Sequence, residues 1–273
     1  MSVISNPSLN AAGGADQTDL ESILESRTWL RRQRPFPHVL AREVFTPDFY
    51  RDLEEQLRSI FAAGLSEVPD RSRFARNIPG YDAYATGFSA QSTGGPVALF
   101  LSPAWCDLVC GLFGVERTPY IYAGSHHHPA GSPSGFVHND YNPVWFVRSR
   151  DGRIRSPEPA RCAYRTGEGP LPDSEKIELV RGVAVMFYLM NDGWRQGDGG
   201  ETGLFRSAHD PTPEVKWPPI NNSLIAFECT PRSFHTYLTN PSRPRTSIIM
   251  WTHRSMADAD LAHGINKLER WKS

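Results

Sequence analysis

Cysteine is scarce in this chain, with four in 273 residues. Cys106, Cys110, Cys162 and Cys229 form no repeated Cys-x-x-Cys pair, which excludes a zinc knuckle and a disulfide framework. Cys106 and Cys110, four positions apart, suit small buried hydrophobes on one helix face. Net charge is nearly absent too, at −1. No run of Lys and Arg is long enough to leave an electrostatic footprint for nucleic acid or an anionic membrane, and Arg31-Arg32-Gln33-Arg34 reads as solvated surface. No apolar stretch approaches the length of a bilayer span. The opening MSVISNPSLNAAGGADQTD lacks both a basic n-region and a continuous apolar core, so it does not read as a secretory signal, and the expectation is a cytoplasmic protein. No internal repeat or low-complexity tract is present.

What remains is an ordinary globular composition, 39% apolar and 11% aromatic, long enough to bury one large core. Residues 1–24, small and polar, predict a flexible tail, and residues 25–273 a single domain. PFPHVLAREVF predicts an extended segment. Thr46-Pro47-Asp48 then starts a helix carrying Phe49, Leu53, Leu57, Ile60 and Phe61 as one apolar stripe. A second helix starts at Ser102-Pro103 and turns Trp105, Leu108, Val109 and Leu112 inward. From about residue 118 the pattern changes to seven short β-type runs: PYIYAG, FVHNDY, VWFVRS, VAVMFYLM, LIAFE, FHTYL and TSIIMWTH. Such runs with Pro, Gly and Asn punctuation predict an antiparallel barrel or sandwich, mainly β with flanking helices. Asp151 to Lys176 is long, charged and rich in Pro and Gly, which predicts a lid-like insertion at about 148–180. A last helix is expected from Ser255 to about Trp271, with Leu261, Ile265 and Leu268 inward.

Chemistry first shows in FVHNDYNP. On a strand, His138 and Asp140 share a face, and an imidazole with a carboxylate is two-thirds of the facial triad that holds non-haem Fe(II). A second histidine is best sought at His235, which opens a run ending in the turn Asn240-Pro241-Ser242. If the returning run pairs with it, Arg245 and Ser247 share a face, about 10 Å along the ladder from His235. That matches the reach of a short diacid held by metal at one end and by a guanidinium fork and a hydroxyl at the other.

His138-x-Asp140, then Tyr188-Leu189-Met190-Asn191-Asp192, then Gly199-Gly200-Glu201-Thr202-Gly203-Leu204-Phe205, then His235 and Arg245, resembles in that order the prolyl-4-hydroxylase-like branch of the Fe(II)/2-oxoglutarate-dependent dioxygenases. PFPHVL also resembles the start of bacterial members, so the likeness spans about residues 35–254. The resemblance implies a double-stranded β-helix core of jelly-roll or cupin-like form. It implies Fe(II) on His138, Asp140 and His235, and 2-oxoglutarate on Arg245, with Ser247 and Tyr122 beside it and Tyr120 as a rival to Tyr122. O2 would be the oxidant and ascorbate a reductant. The branch often carries Lys where Arg245 stands, and Arg followed two later by Ser is the pattern of other branches. Asp140, where a halogenase needs a small residue, implies oxygen transfer. Hydroxylation with succinate and CO2 as coproducts follows, desaturation and cyclisation being variants.

The favoured substrate is a small molecule, an amino acid or specialised metabolite, with a peptidyl prolyl-type hydroxylase as the alternative. A non-enzymatic metal-binding β-barrel and a zinc hydrolase are other classes that fit the metal residues. The oligomeric state stays open. Tyr141, Asn142, Trp145, Trp194 and His128 are candidate substrate contacts. Arg161, Arg165 and Arg148 lie around the insertion, where they could meet an anionic substrate group or form a solvated lid face, with Arg161 the one nominated. His126-His127-His128 reads as a solvent-facing or supporting run, Gly199-Gly200 as a plain turn, and Glu201 as a structural hydrogen-bond partner.

Overall fold

The computed structural model describes residues 2–5, 19–64 and 84–270. Its strands are β1 (Ser2–Ser5), β2 (Thr28–Arg32), β3 (His38–Arg42), β4 (Tyr84–Gly87), β5 (Ile121–His128), β6 (Pro143–Val147), β7 (Lys176–Tyr188), β8 (Thr202–Leu204), β9 (Val215–Trp217), β10 (Ser223–Glu228), β11 (His235–Tyr237) and β12 (Arg245–Ser255). The helices are α1 (Leu20–Ile23), α2 (Pro47–Gly64), α3 (Pro103–Gly111) and α4 (Met256–His263). A large antiparallel sheet runs in the order β1-β2-β3-β10-β7-β12-β5-β4, with β6 on β7, and a small sheet runs β11-β8-β9. The two sheets face each other as a double-stranded β-helix.

Period-2 alternation divides the large sheet into two faces. Val183, Val185, Phe187, Leu224, Ala226, Ile248 and Met250 point to the helices, and Ala184, Met186, Tyr188, Ile225, Phe227, Ile249 and Trp251 point to the small sheet. The helical side is the main core. Leu53 and Leu57 of α2 are fully buried there, with Ile60 and Phe61 against them, each full burial contributing about 1.5–3 kcal/mol. Trp105 of α3 meets Phe45 and Phe100 at ring-centroid distances of 5.5 and 5.6 Å. The α3 start is fixed by Ser102, whose Oγ accepts from the Trp105 N–H, with Pro103 in the first turn, the arrangement that satisfies otherwise orphaned amides.

Strand β7 breaks the alternation once. Trp251 lies opposite Ala184 but His253 lies opposite Arg181, so β7 spends one more residue than β12 between those pairs. This bulge at Gly182–Val183 brings Arg181 onto the same face as Ala184 and Met186. The Val183 N–H left without a ladder partner donates to Thr252 Oγ1 at 3.1 Å.

Several expectations are corrected. FVHNDY is not a strand; His138 makes an isolated bridge with His235, exchanging both backbone bonds at 3.1 and 2.8 Å. β11 does not pair with β12: it pairs with β8, while β12 lies between β5 and β7. Of residues 1–24, Ser2–Ser5 pairs with β2 and Leu20 and Leu24 are buried in the core, while residues 6–18 lie outside the described residues. The last helix stops at His263 because Gly264, at φ 83°, leaves the helical region. Leu261, inside the helix, is 89% exposed rather than inward, and the expected end at Trp271 lies outside the described residues. The segment between β6 and β7 is docked, with Ser156 and Cys162 buried. No helix among the described residues is long and apolar enough to cross a membrane.

Candidate active site

Small sheet and large sheet enclose one cavity. His138, Asp140 and His235 bring one ligand atom each to within 4.8 Å of one another at its wall. His138 Nε2 is 3.9 Å from Asp140 Oδ1, and His235 Nε2 is 3.5 Å from Oδ2. The tautomers follow from the backbone. His138 Nδ1 is 2.9 Å from the Phe136 carbonyl and His235 Nδ1 is 3.0 Å from the Ser233 carbonyl. A carbonyl only accepts, so each Nδ1 carries the proton and each Nε2 turns a lone pair toward the aspartate. Two imidazole lone pairs and a carboxylate, on one side of an open cavity, fit Fe(II) with coordination positions to spare. Burial, and then His235 nearby, lowers the His138 pKa to about 4, so that nitrogen is free of its proton at neutral pH.

Asp140 is fixed by two residues absent from the sequence reading. Arg181 Nη1 donates to Oδ1, and Trp251 Nε1 donates to Oδ2 at 2.8 Å. Arg181 also lies over the Trp251 ring at 3.9 Å. Burial alone would raise the Asp140 pKa, but the Arg181 guanidinium overrides it and holds the carboxyl well below the ordinary range. Behind them, Arg181 Nε donates to Tyr164 Oη at 3.3 Å, Tyr164 lies 2.8 Å from His253 Nε2, and His253 Nδ1 lies 2.7 Å from the Tyr120 carbonyl. The carbonyl assigns the proton to Nδ1, so Tyr164 donates to Nε2. Gly182, just ahead of the apolar run Val183–Tyr188, is the one sequence signal for the bulge that turns Arg181 to the site; Trp251 had none.

At another part of the wall, Arg245 Nη2 donates to Thr202 Oγ1 at 3.2 Å and Nη1 to Ser247 Oγ at 3.3 Å. Its guanidinium lies 5.1 Å from the Tyr188 ring and 5.2 Å from the Tyr237 ring. Thr202 stands opposite Tyr237, two residues along β11 from His235, a strand separation of about 7 Å. A buried guanidinium with two hydroxyls beside it suits a carboxylate. His126, opposite Ser247, also lines this cavity; burial first, then Arg245, lowers its pKa to about 3.

Tyr122 is placed elsewhere. It stands opposite Trp251, whereas Arg245 stands opposite His128, six residues or about 20 Å of strand away. Its ring packs on Trp251 and Tyr164 at 5.2 Å each, and Tyr188 occupies the position by Arg245. Five candidate substrate contacts are likewise corrected. Tyr141 is fully buried and donates to the Ala259 carbonyl at 2.8 Å. Asn142 Nδ2 donates to the Glu269 carbonyl. Trp145 packs on the turn at Gly167, and Trp194 packs on Gly200 while donating to the Pro244 carbonyl at 3.3 Å. Arg161 is exposed and pairs with Glu158 at 2.9 Å. None of the five lines the cavity. His128 is buried at its edge, stacked on Tyr237 at 3.8 Å; the His126–His128 run completes β5 and is not solvent-facing. Of the arginines around the insertion, Arg148 donates to the Ser174 and Lys176 carbonyls and Arg165 lines the cavity. Glu201 is buried and accepts from the Gly197 N–H at 3.2 Å.

Residues 161–253 match the family model described as the 2OG-Fe(II) oxygenase superfamily. No curated protein matches the chain. Among solved structures it is similar to a prolyl hydroxylase from Trichoplax adhaerens in complex with a hypoxia inducible factor peptide fragment, at TM-score 0.51 and 16% identity over 82% of this chain and 86% of that one. That likeness shows the fold. A Pseudomonas putida prolyl-4-hydroxylase is similar at TM-score 0.48 and 19% identity, over 80% of this chain and 92% of that one. The carbocyclase SnoK of nogalamycin biosynthesis is similar at TM-score 0.48 and 11% identity, over 86% and 89%. The matched stretch, about a third of the chain, carries His235 and Arg245, and the residues before it deliver His138 and Asp140 to the same spot; over that stretch the chain is similar to the 2OG-Fe(II) oxygenase superfamily.

Proposed function

We propose that the chain hydroxylates an aliphatic C–H bond, with His138, Asp140 and His235 holding Fe(II) and Arg245 with Ser247 and Thr202 holding the distal carboxylate of 2-oxoglutarate. One observation carries this reading: the two histidine lone pairs, the carboxylate and the buried guanidinium all line one cavity. When bound, iron and 2-oxoglutarate supply the activation of O2 that turns substrate, 2-oxoglutarate and O2 into alcohol, succinate and CO2. The chain's own residues position and insulate. Arg181 and Trp251 lock the Asp140 carboxylate from both oxygens, while Met186, Ile249 and Phe136 give the cavity an apolar wall against which a C–H bond is held. No residue is required as a general base.

The likeness to a prolyl hydroxylase that binds a peptide fragment supports a prolyl residue of a peptide as the substrate. A small molecule is the second reading, favoured by the docked segment between β6 and β7, which puts Arg165 into the cavity wall. On that reading residues 25–273 act as one domain in which about 148–180 covers the site. The test is succinate release from 2-oxoglutarate with prolyl peptides in one series and free amino and carboxylic acids in the other. Stimulation by peptides alone supports the first reading and by free acids alone the second. Failure of wild type to consume 2-oxoglutarate with any of them, under conditions where Fe(II) is bound, counts against the hydroxylase reading.

A further inference from the structure

Three guanidinium groups and one carboxylate line the cavity among the described residues: Arg165, Arg181, Arg245 and Asp140. Two of the cations have work already described, Arg181 on Asp140 and Arg245 beside Thr202 and Ser247. Arg165 comes from a different part of the chain, the segment between β6 and β7, and its place is built. The Gly167 N–H donates to the Ala163 carbonyl at 2.8 Å, the Ala163 N–H to the Glu168 carbonyl at 2.6 Å, and the Trp145 N–H to the Tyr164 carbonyl at 2.8 Å. Gly167, at φ 73°, lies so close to the Trp145 indole that a Cβ would come 2.7 Å from Cδ2. Trp145, expected to touch substrate, instead supports the turn that presents Arg165. The turn fixes the Arg165 backbone at the cavity wall, which lowers the ordering needed when its side chain binds.

Its neighbours say what it would bind. Burial, and then the Arg181 charge, lower the Arg165 pKa, so the cation sits where an arriving anion is welcome. The nearby wall offers apolar surface from Phe136, Ile249 and Trp251. An apolar body with one carboxylate matches that wall, because a guanidinium meets a carboxylate through two parallel bonds.

We infer that the substrate presents a carboxylate to Arg165, inside the cavity that holds His138, Asp140 and His235. The inference rests on the oxygenase reading above and narrows its substrate class to carboxylate-bearing molecules.

Trifluoroacetate and trifluoroacetamide, equal in shape and different in charge, are suitable probes. With Mn(II) and saturating 2-oxoglutarate on the protein, fluorine relaxation reports whether either probe sits near the metal. The expected result is strong broadening of trifluoroacetate and little of trifluoroacetamide in wild type. Arg165→Gln should weaken the acid's binding about tenfold, the worth of one charge-assisted contact, and Arg165→Lys should fall between. Arg161→Gln, an exposed position on the same segment, should match wild type. Equal broadening by acid and amide in wild type, or broadening by the acid that survives Arg165→Gln, overturns the inference. Circular dichroism checks folding, and Arg165→Lys keeps the test open if the glutamine variant does not fold. Water-proton relaxation in the same samples reports Mn(II) and 2-oxoglutarate binding. Their absence would sink the oxygenase reading; their presence without broadening by trifluoroacetate sinks only the role of Arg165.

Discussion

Arg181 and Asp140 form an ion pair in which both side chains are about 3% exposed. The pair sets the charge of the site before any metal arrives, since Asp140 stays ionised and points its oxygens toward the two histidines. Removing one partner of such a buried pair leaves an uncompensated charge and costs about 3–5 kcal/mol. Arg181→Met should therefore lower the urea midpoint of the metal-free protein sharply. Mn(II) supplies a replacement countercharge, so the loss should shrink when the metal is added. An equal loss with and without Mn(II) would mean that Arg181 does not act through Asp140.

Arg245 and its hydroxyl partners make the second prediction. Arg245→Ala removes charge-assisted bonds worth about 1.5–3 kcal/mol, so the KM for 2-oxoglutarate should rise at least tenfold. Thr202→Val, which deletes only the hydroxyl touching Arg245 Nη2 and Tyr188, should raise it less. A Thr202→Val effect equal to that of Arg245→Ala would place the carboxylate on the threonine instead.

Two histidines that bind no metal predict the response to acid. Burial lowers the His126 pKa to about 3, and burial likewise lowers that of His253 to about 3. The unfolded chain then binds more protons than the folded one between about pH 6.5 and 3, so stability falls as pH drops through that window. At pH 5.5 the loss is about 1 kcal/mol for each. Denaturant midpoints of the metal-free protein at pH 7.5 and 5.5 should show it, and His253→Gln should flatten the slope. A midpoint that is unchanged or higher at pH 5.5 contradicts this.

The turn before β8 is under backbone constraint. Gly199 has φ 91°, and a Cβ there would lie 2.5 Å from the Thr239 carbonyl oxygen. Gly199→Ala should destabilise by more than about 1 kcal/mol, read as a lower thermal midpoint. Gly197→Ala, with open space around its Cβ, should cost less.

Much of this arrangement is legible in the residues themselves. Helical spacing found α2 and α3, and alternation found β5, β7, β10 and β12, because one face of each is packed and the other is not. The triad was legible as residue types in order. Its geometry was not: His138 and Asp140 lie on an irregular segment, and His235 and Arg245 lie in opposite sheets. Partner choice between strands depends on the whole sandwich, which local alternation does not encode. Arg181 was hidden for a sharper reason. Strict period 2 would send it to the helical face, and only the bulge at Gly182–Val183 returns it to the site. Tyr141 and Trp194 show the reverse error, since an aromatic near a motif is as well suited to packing as to binding.

The most direct test is an anaerobic titration of the purified protein with Fe(II) and then 2-oxoglutarate, following visible absorption in wild type, Asp140→Ala and Arg245→Ala. The account predicts a weak charge-transfer band from iron to the keto acid in wild type. The band should be absent in Asp140→Ala and displaced to higher 2-oxoglutarate concentration in Arg245→Ala. Iron bound in wild type with no such band at saturating 2-oxoglutarate would contradict it.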